Sequence, residues 1–101
     1  MIVFVRSART VHGKRGEAKK WAIELTDYIN AQSPEVNCKV LIPRFGEMNR
    51  IYWHADFPDL AALDAWQRKM VQDEGYHTLR VRAQDLLSPS SIEDNVLTSL
   101  T

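Results

Sequence analysis

The third apolar run of this sequence, residues 48–57, carries its densest set of reactive side chains. Arg50, Tyr52, His54 and Asp56 alternate there with Ile51, Trp53, Ala55 and Phe57. Strict alternation is the signature of a β-strand, whose successive side chains point to opposite faces. One face would therefore present a cation, a phenol, an imidazole and a carboxylate. Histidine titrates near neutral pH and can act as a base. Such a set can bind or deprotonate an acidic organic molecule. His54 and Asp56 stand about 7 Å apart along the strand, too far for a direct hydrogen bond to be assumed. Arg6 joins the group if its face is the same. The alternative is a polar, hydrogen-bonded interface between two copies of the chain.

A second concentration lies in AWQRKMVQDEGYHTLRVRA, residues 65–83, which holds Trp66, Tyr76 and His77. Trp66 edges a helical apolar stripe of Leu60, Leu63 and Met70, as a core or pocket-wall residue does. Tyr76 belongs to the next stripe, with Leu79, Ala83, Leu86 and Leu87. At 100° per residue His77 falls beside Arg80 and Gln84, off that stripe. That makes it a surface histidine or one at a pocket mouth.

The remaining residues exclude several chemistries. His12, His54, His77 and Cys38 show no H-x-x-x-H or C-x-x-C spacing, so no metal site is expected. HGKRG at 12–16 has neither phosphate-loop spacing, and nucleotide cofactors are not expected. Cys38, the single cysteine, permits no intrachain disulfide. It lies in an apolar run without the cationic setting of a reactive thiol. Thirteen basic residues balance thirteen acidic ones, which gives no basic excess for nucleic acid. No apolar run reaches a membrane span. MIVFVRSARTV has no basic region ahead of its apolar stretch, and a cytoplasmic location is expected.

These residues must be held by elements that periodicity locates. Residues 2–11 read as a strand. Ala18, Trp21, Ala22, Leu25, Tyr28 and Ile29 mark one face of a helix over 14–31, ended at Ser33-Pro34. Strands are expected at 36–42 and 48–57, joined by a loop containing Gly46. Pro58 and Asp59 suit a helix start, and Gly75 marks its end. A shorter helix and a last strand in IEDNVLTSL close the chain. The order β-α-β-β-α-(α)-β predicts one α+β domain over residues 1–101, a ferredoxin-like split βαβ with an antiparallel sheet. Both faces of strands 1 and 2 carry apolar side chains, whereas helices can cover only one, so a homodimer is expected.

In element order, length and the ADFPDLAALDAW pattern at 55–66, the sequence resembles the dimeric α/β barrel superfamily. YHTLRVRAQDLL and the closing strand look most like the NIPSNAP-like branch, and next like the antibiotic-biosynthesis monooxygenase branch. The resemblance implies two sheets joined into a barrel and a pocket between sheet and helices. It also implies activities that range from oxygenation and isomerisation to simple binding, so fold alone does not fix function. The haem-degrading branch is similar in its helical tryptophan and following histidine, positions matched by Trp66 and His77. Here the interval is eleven residues, and Ser7 stands where that branch has asparagine, which puts oxygen activation in doubt.

The expectation is a small-molecule-binding homodimer with no cofactor. His54, Tyr52 and Arg6 would orient a small apolar or aromatic organic ligand, Trp53 and Trp66 would line its walls, and His77 would stand at its edge. The alternatives are a cofactor-independent monooxygenase or isomerase with His54 as base and Tyr52 beside it, a haem-binding protein using His77, and a purely structural dimer.

Overall fold

A computed structural model describes residues 1–101. The chain runs β1 (Ile2–Arg9), α1 (Arg15–Gln32), β2 (Lys39–Leu41), β3 (Arg50–Phe57), α2 (Leu60–Val71), α3 (Glu74–Arg82) and β4 (Glu93–Thr98). Single 3-10 turns lie at Pro34–Val36, Ala83–Asp85 and Pro89–Ser91. The strands form one antiparallel sheet in the order β2-β3-β1-β4. This is the α+β, ferredoxin-like split βαβ that the element order predicts. No helix is long and apolar enough to cross a membrane.

Register decides which side chains meet. β1 pairs with β3 so that Phe4 faces Ala55, Arg6 faces Trp53 and Ala8 faces Ile51. Directly opposed residues in an antiparallel pair project to the same side. Ile51, Trp53, Ala55 and Phe57 are all buried, and this apolar face of β3 is the one the helices cover. Trp21 of α1 meets Trp53 edge-on, with ring centroids 5.9 Å apart. Trp66 of α2 lies 5.5 Å from Phe57. The α1 stripe buries Ala18, Trp21, Ala22, Leu25 and Ile29, while Tyr28 at its edge stays half-exposed. Each large apolar side chain so buried contributes about 1.5–3 kcal/mol.

Helix starts follow local chemistry. The Asp59 carboxylate caps α2 by accepting from the Ala62 N–H at 2.8 Å, with Pro58 just ahead of it. Asp73 does the same for α3 through the Tyr76 N–H, also at 2.8 Å. Each satisfies one backbone donor that a helix N-terminus leaves unpaired. The break between the helices therefore falls at residues 72–73, not at Gly75, which lies inside the first turn of α3.

The second strand is shorter than its alternating pattern predicts. Residues 36–42 read as a continuous strand, yet only Lys39–Leu41 pairs. Asn37 adopts a left-handed φ of 45°. The Asn30 side chain takes both backbone groups of Cys38, accepting from its N–H at 2.8 Å and donating to its C=O at 2.9 Å. A side-chain amide has thus replaced the ladder. Val36 and Cys38 are still buried, which is what the apolar pattern recorded.

Candidate ligand-binding cavity

Between the sheet and its three helices lies a cavity of about 680 Å3, lined mainly by apolar side chains. Its volume is within the ~300–1,000 Å3 range of small-molecule sites. The sheet supplies Phe4, Arg6 and Ala8 from β1, with Trp53 and Ala55 from β3. Leu25 and Ile29 of α1, Trp66 and Met70 of α2, and Tyr76, His77 and Arg80 of α3 complete the wall. The innermost of these, such as Met70 and Ala8, are almost fully buried, whereas His77 and Arg80 are exposed at the mouth.

The three indoles differ in their polar ends. Trp21 donates its N–H to the Leu79 carbonyl at 2.8 Å, which ties α1 to α3 behind the cavity. The N–H groups of Trp53 and Trp66 are buried without an acceptor. A buried donor left unpaired costs about 1–3 kcal/mol. Two wall residues thus carry polar groups that the chain itself does not satisfy.

Arg6 is placed by register beside Trp53, on the helix side of the sheet. Asp94, its opposite number on β4, accepts from it twice, at 2.7 and 2.8 Å. This bidentate hydrogen bonding raises the arginine pKa above its ordinary value, against the desolvation that burial imposes. The Arg6 guanidinium also lies 5.5 Å above the Phe4 ring. Its charge is therefore matched within the fold.

His54 and Tyr52 are placed elsewhere. They pair across the sheet with Val5 and Ser7, and so project from the face opposite Arg6 and Trp53. The conditional grouping of Arg6 with His54 and Tyr52 does not occur, because Arg6 occupies an even position of β1 and those two pair with odd ones. His54 borders the cavity, since β3 runs along it, yet its register places the imidazole on the open face with Val5 and Lys39. Asp56 is on that face too, 3.5 Å from the Asn37 amide.

Arg50, the fourth polar residue of the strand, is buried and structurally committed. It donates to the Ser7 hydroxyl at 2.9 Å and the Ser91 carbonyl at 3.1 Å, with Glu47 at 3.3 Å. It fastens the start of β3 to the turn before β4.

Trp66 and His77 do share the cavity wall, together with Trp53 and Arg6. Arg80 and Gln84 follow His77 on the same stripe and also line it. Their spacing was readable as a polar helix stripe, but nothing in spacing tells whether that stripe meets solvent or a cavity. Cys38 lines the cavity as well, and burial pushes its thiol up to about 11. A thiol so desolvated is a poor nucleophile near neutral pH. No group of three or more His, Cys, Asp or Glu side chains is arranged to hold a metal ion.

No protein-family model and no curated protein matches the sequence. Solved structures do resemble this one. A NIPSNAP domain protein from Burkholderia xenovorans superposes with a TM-score of 0.80 at 19% identity, over 98% of this chain and 94% of that one. A NIPSNAP family protein from Agrobacterium tumefaciens gives 0.80 at 21% identity, over 96% and 90%. A cofactor-independent oxygenase from Streptomyces nogalater gives 0.70 at 20% identity, over 99% and 93%. Candidate antibiotic biosynthesis monooxygenases are similar in the same way. Its single antiparallel sheet and helical layer thus give this chain the ferredoxin-like fold of NIPSNAP-domain and antibiotic biosynthesis monooxygenase-like proteins.

Proposed function

We propose that this protein is a cytoplasmic homodimer that binds a small apolar or aromatic organic molecule in the cavity between sheet and helices. The cavity itself carries the reading: about 680 Å3 of space, walled by Phe4, Trp53, Trp66 and Tyr76, is large for a packing defect in so short a chain. The ligand reading invokes no resident cofactor. The single unpaired, buried cysteine accords with a reducing compartment. Saturable quenching of tryptophan fluorescence by a naphthalene-type probe is the expected result, lost when Ala83→Trp fills the half-buried rim. Absence of saturable binding overturns the reading.

The dimer rests on the open sheet face, where Val3, Val5 and Tyr52 sit beside the exposed Leu41 and Leu97. A second copy laid on this face would cover them. Sedimentation at micromolar concentration should show a dimer that Val5→Arg dissociates. A monomeric parent protein would sink this part of the proposal. An oxygenase or isomerase with His54 as base would need its substrate on this open face, between two sheets, rather than in the cavity.

A second reading is haem binding, favoured by the placing of Trp66 and His77 in one cavity wall. The imidazole and the wide apolar space fit the group in kind. His77 would be the iron ligand and Trp66 a wall, and the haem would supply redox chemistry. A Soret shift on adding haemin, abolished in His77→Ala, is its test; an unchanged haemin spectrum removes it.

A further inference from the structure

We infer that the cavity selects an aromatic carboxylate, with its ring system among the indoles and its carboxylate on Arg80 at the mouth. The inference rests on the proposed ligand-binding reading and specifies the class of molecule.

The argument begins with charge. The ionisable side chains in the wall include Arg6, Arg80 and His77, and no aspartate or glutamate lines it. A protein with equal numbers of acidic and basic residues has therefore kept every carboxylate out of this wall. The two arginines are not equivalent. Asp94 neutralises Arg6, whereas Arg80 has no carboxylate partner within 4.0 Å. By contrast Arg82, two residues on, is paired in the fold with Glu24 at 3.1 Å. Arg80 lies 5.8 Å over the Tyr76 ring, a contact that leaves its N–H donors free for hydrogen bonds.

Shape and polarity agree with that charge. The deep part of the cavity is apolar and rich in aromatic rings, which favours a flat hydrophobic body. The mouth is where His77 and Arg80 follow one another at a three-residue interval, one turn of α3. A guanidinium accepts a carboxylate through two parallel hydrogen bonds, a geometry that a lone hydroxyl cannot match.

The test compares 2-naphthoate with the uncharged 2-naphthalenemethanol, by calorimetry and tryptophan quenching. The parent protein should bind the carboxylate roughly tenfold or more tightly than the alcohol, the range expected of a charge-assisted hydrogen bond. Arg80→Gln should abolish the preference, weakening the carboxylate roughly tenfold or more and the alcohol far less. Arg80→Lys should restore part of it, and Arg6→Gln should change it less. Equal binding of the two probes, or a preference that survives Arg80→Gln, overturns the carboxylate inference and leaves the cavity reading standing. Failure of both probes to bind overturns the cavity reading together with the inference.

Discussion

Arg6 of β1 stands directly across the ladder from Trp53 of β3, and this one pairing divides the polar residues of the protein into two sets. Residues in register with Arg6 look toward the helices and the cavity. Residues one step away, His54 and Tyr52, look toward the open face. The division gives His54→Ala a specific expectation: binding of 2-naphthoate remains within about twofold of the parent, since no imidazole contact to the cavity is lost. A tenfold loss in a folded, dimeric variant would contradict the placement.

The indoles should respond unequally to loss of their N–H. Trp21→Phe strands the Leu79 carbonyl and should cost about 1–3 kcal/mol beyond the lost area. Trp53→Phe and Trp66→Phe remove donors that have no acceptor, so their cost should be smaller. Urea unfolding of the three variants gives the ranking directly.

Gly75 lies under the ring of Tyr28. A Cβ there would overlap the tyrosine oxygen and come within 2.6 Å of Cζ. Alanine for glycine within a helix normally stabilises by up to about 1 kcal/mol. Here overpacking should win, with Gly75→Ala destabilising by about 1–3 kcal/mol. In a Tyr28→Ala background the same substitution should cost less, and a double-mutant cycle should show strong coupling.

Tyr28 also donates to the Asp73 carboxylate, and the two groups shift in opposite senses. The hydrogen bond from Tyr28 holds Asp73 below its ordinary 3.8. The same bond raises Tyr28 above its ordinary 10.0. The Asp73 contribution to stability is present above pH 3.8 and is lost as pH falls through the folded value. The tyrosine contribution is present below pH 10.0 and is lost as pH rises through its folded value. Glu47, lowered chiefly by the hydrogen bond from Arg9, acts on the acid side with the same sign. Asp73→Asn should therefore flatten part of the acid limb of a stability profile and leave the Glu47 part. An unaltered acid limb would show that Asp73 is not coupled to folding.

Cys38 should be protected. With its thiol pushed up to about 11 by burial, iodoacetamide at pH 8 should label the folded protein far more slowly than the urea-unfolded chain. Ligand in the cavity should slow labelling further, because Cys38 is part of the wall.

Local patterns in the sequence were sufficient for much of the fold. The alternation of residues 50–57 marked β3 and separated its apolar from its polar face. The three- and four-residue intervals from Ala18 to Ile29 marked the buried stripe of α1, and Asp59 marked the start of α2. Each of these signals acts between residues close in sequence, through dihedral preference, capping or side-chain periodicity. The pattern at 36–42 misled because it records burial, which Val36 and Cys38 retain, and not ladder pairing, which Asn30 displaced. The site depended on relations that no local period contains. Whether Arg6 shared a face with His54 or with Trp53 was a matter of β1–β3 register, set between residues about fifty positions apart. Whether His77 and Arg80 met water or a cavity depended on how α3 docked, through Trp21 on Leu79 and Tyr28 on Asp73. Sequence alone determined the elements and their apolar faces; only the packed sheet and helices decided which polar residues stand together, because that choice is made by contacts distant along the chain.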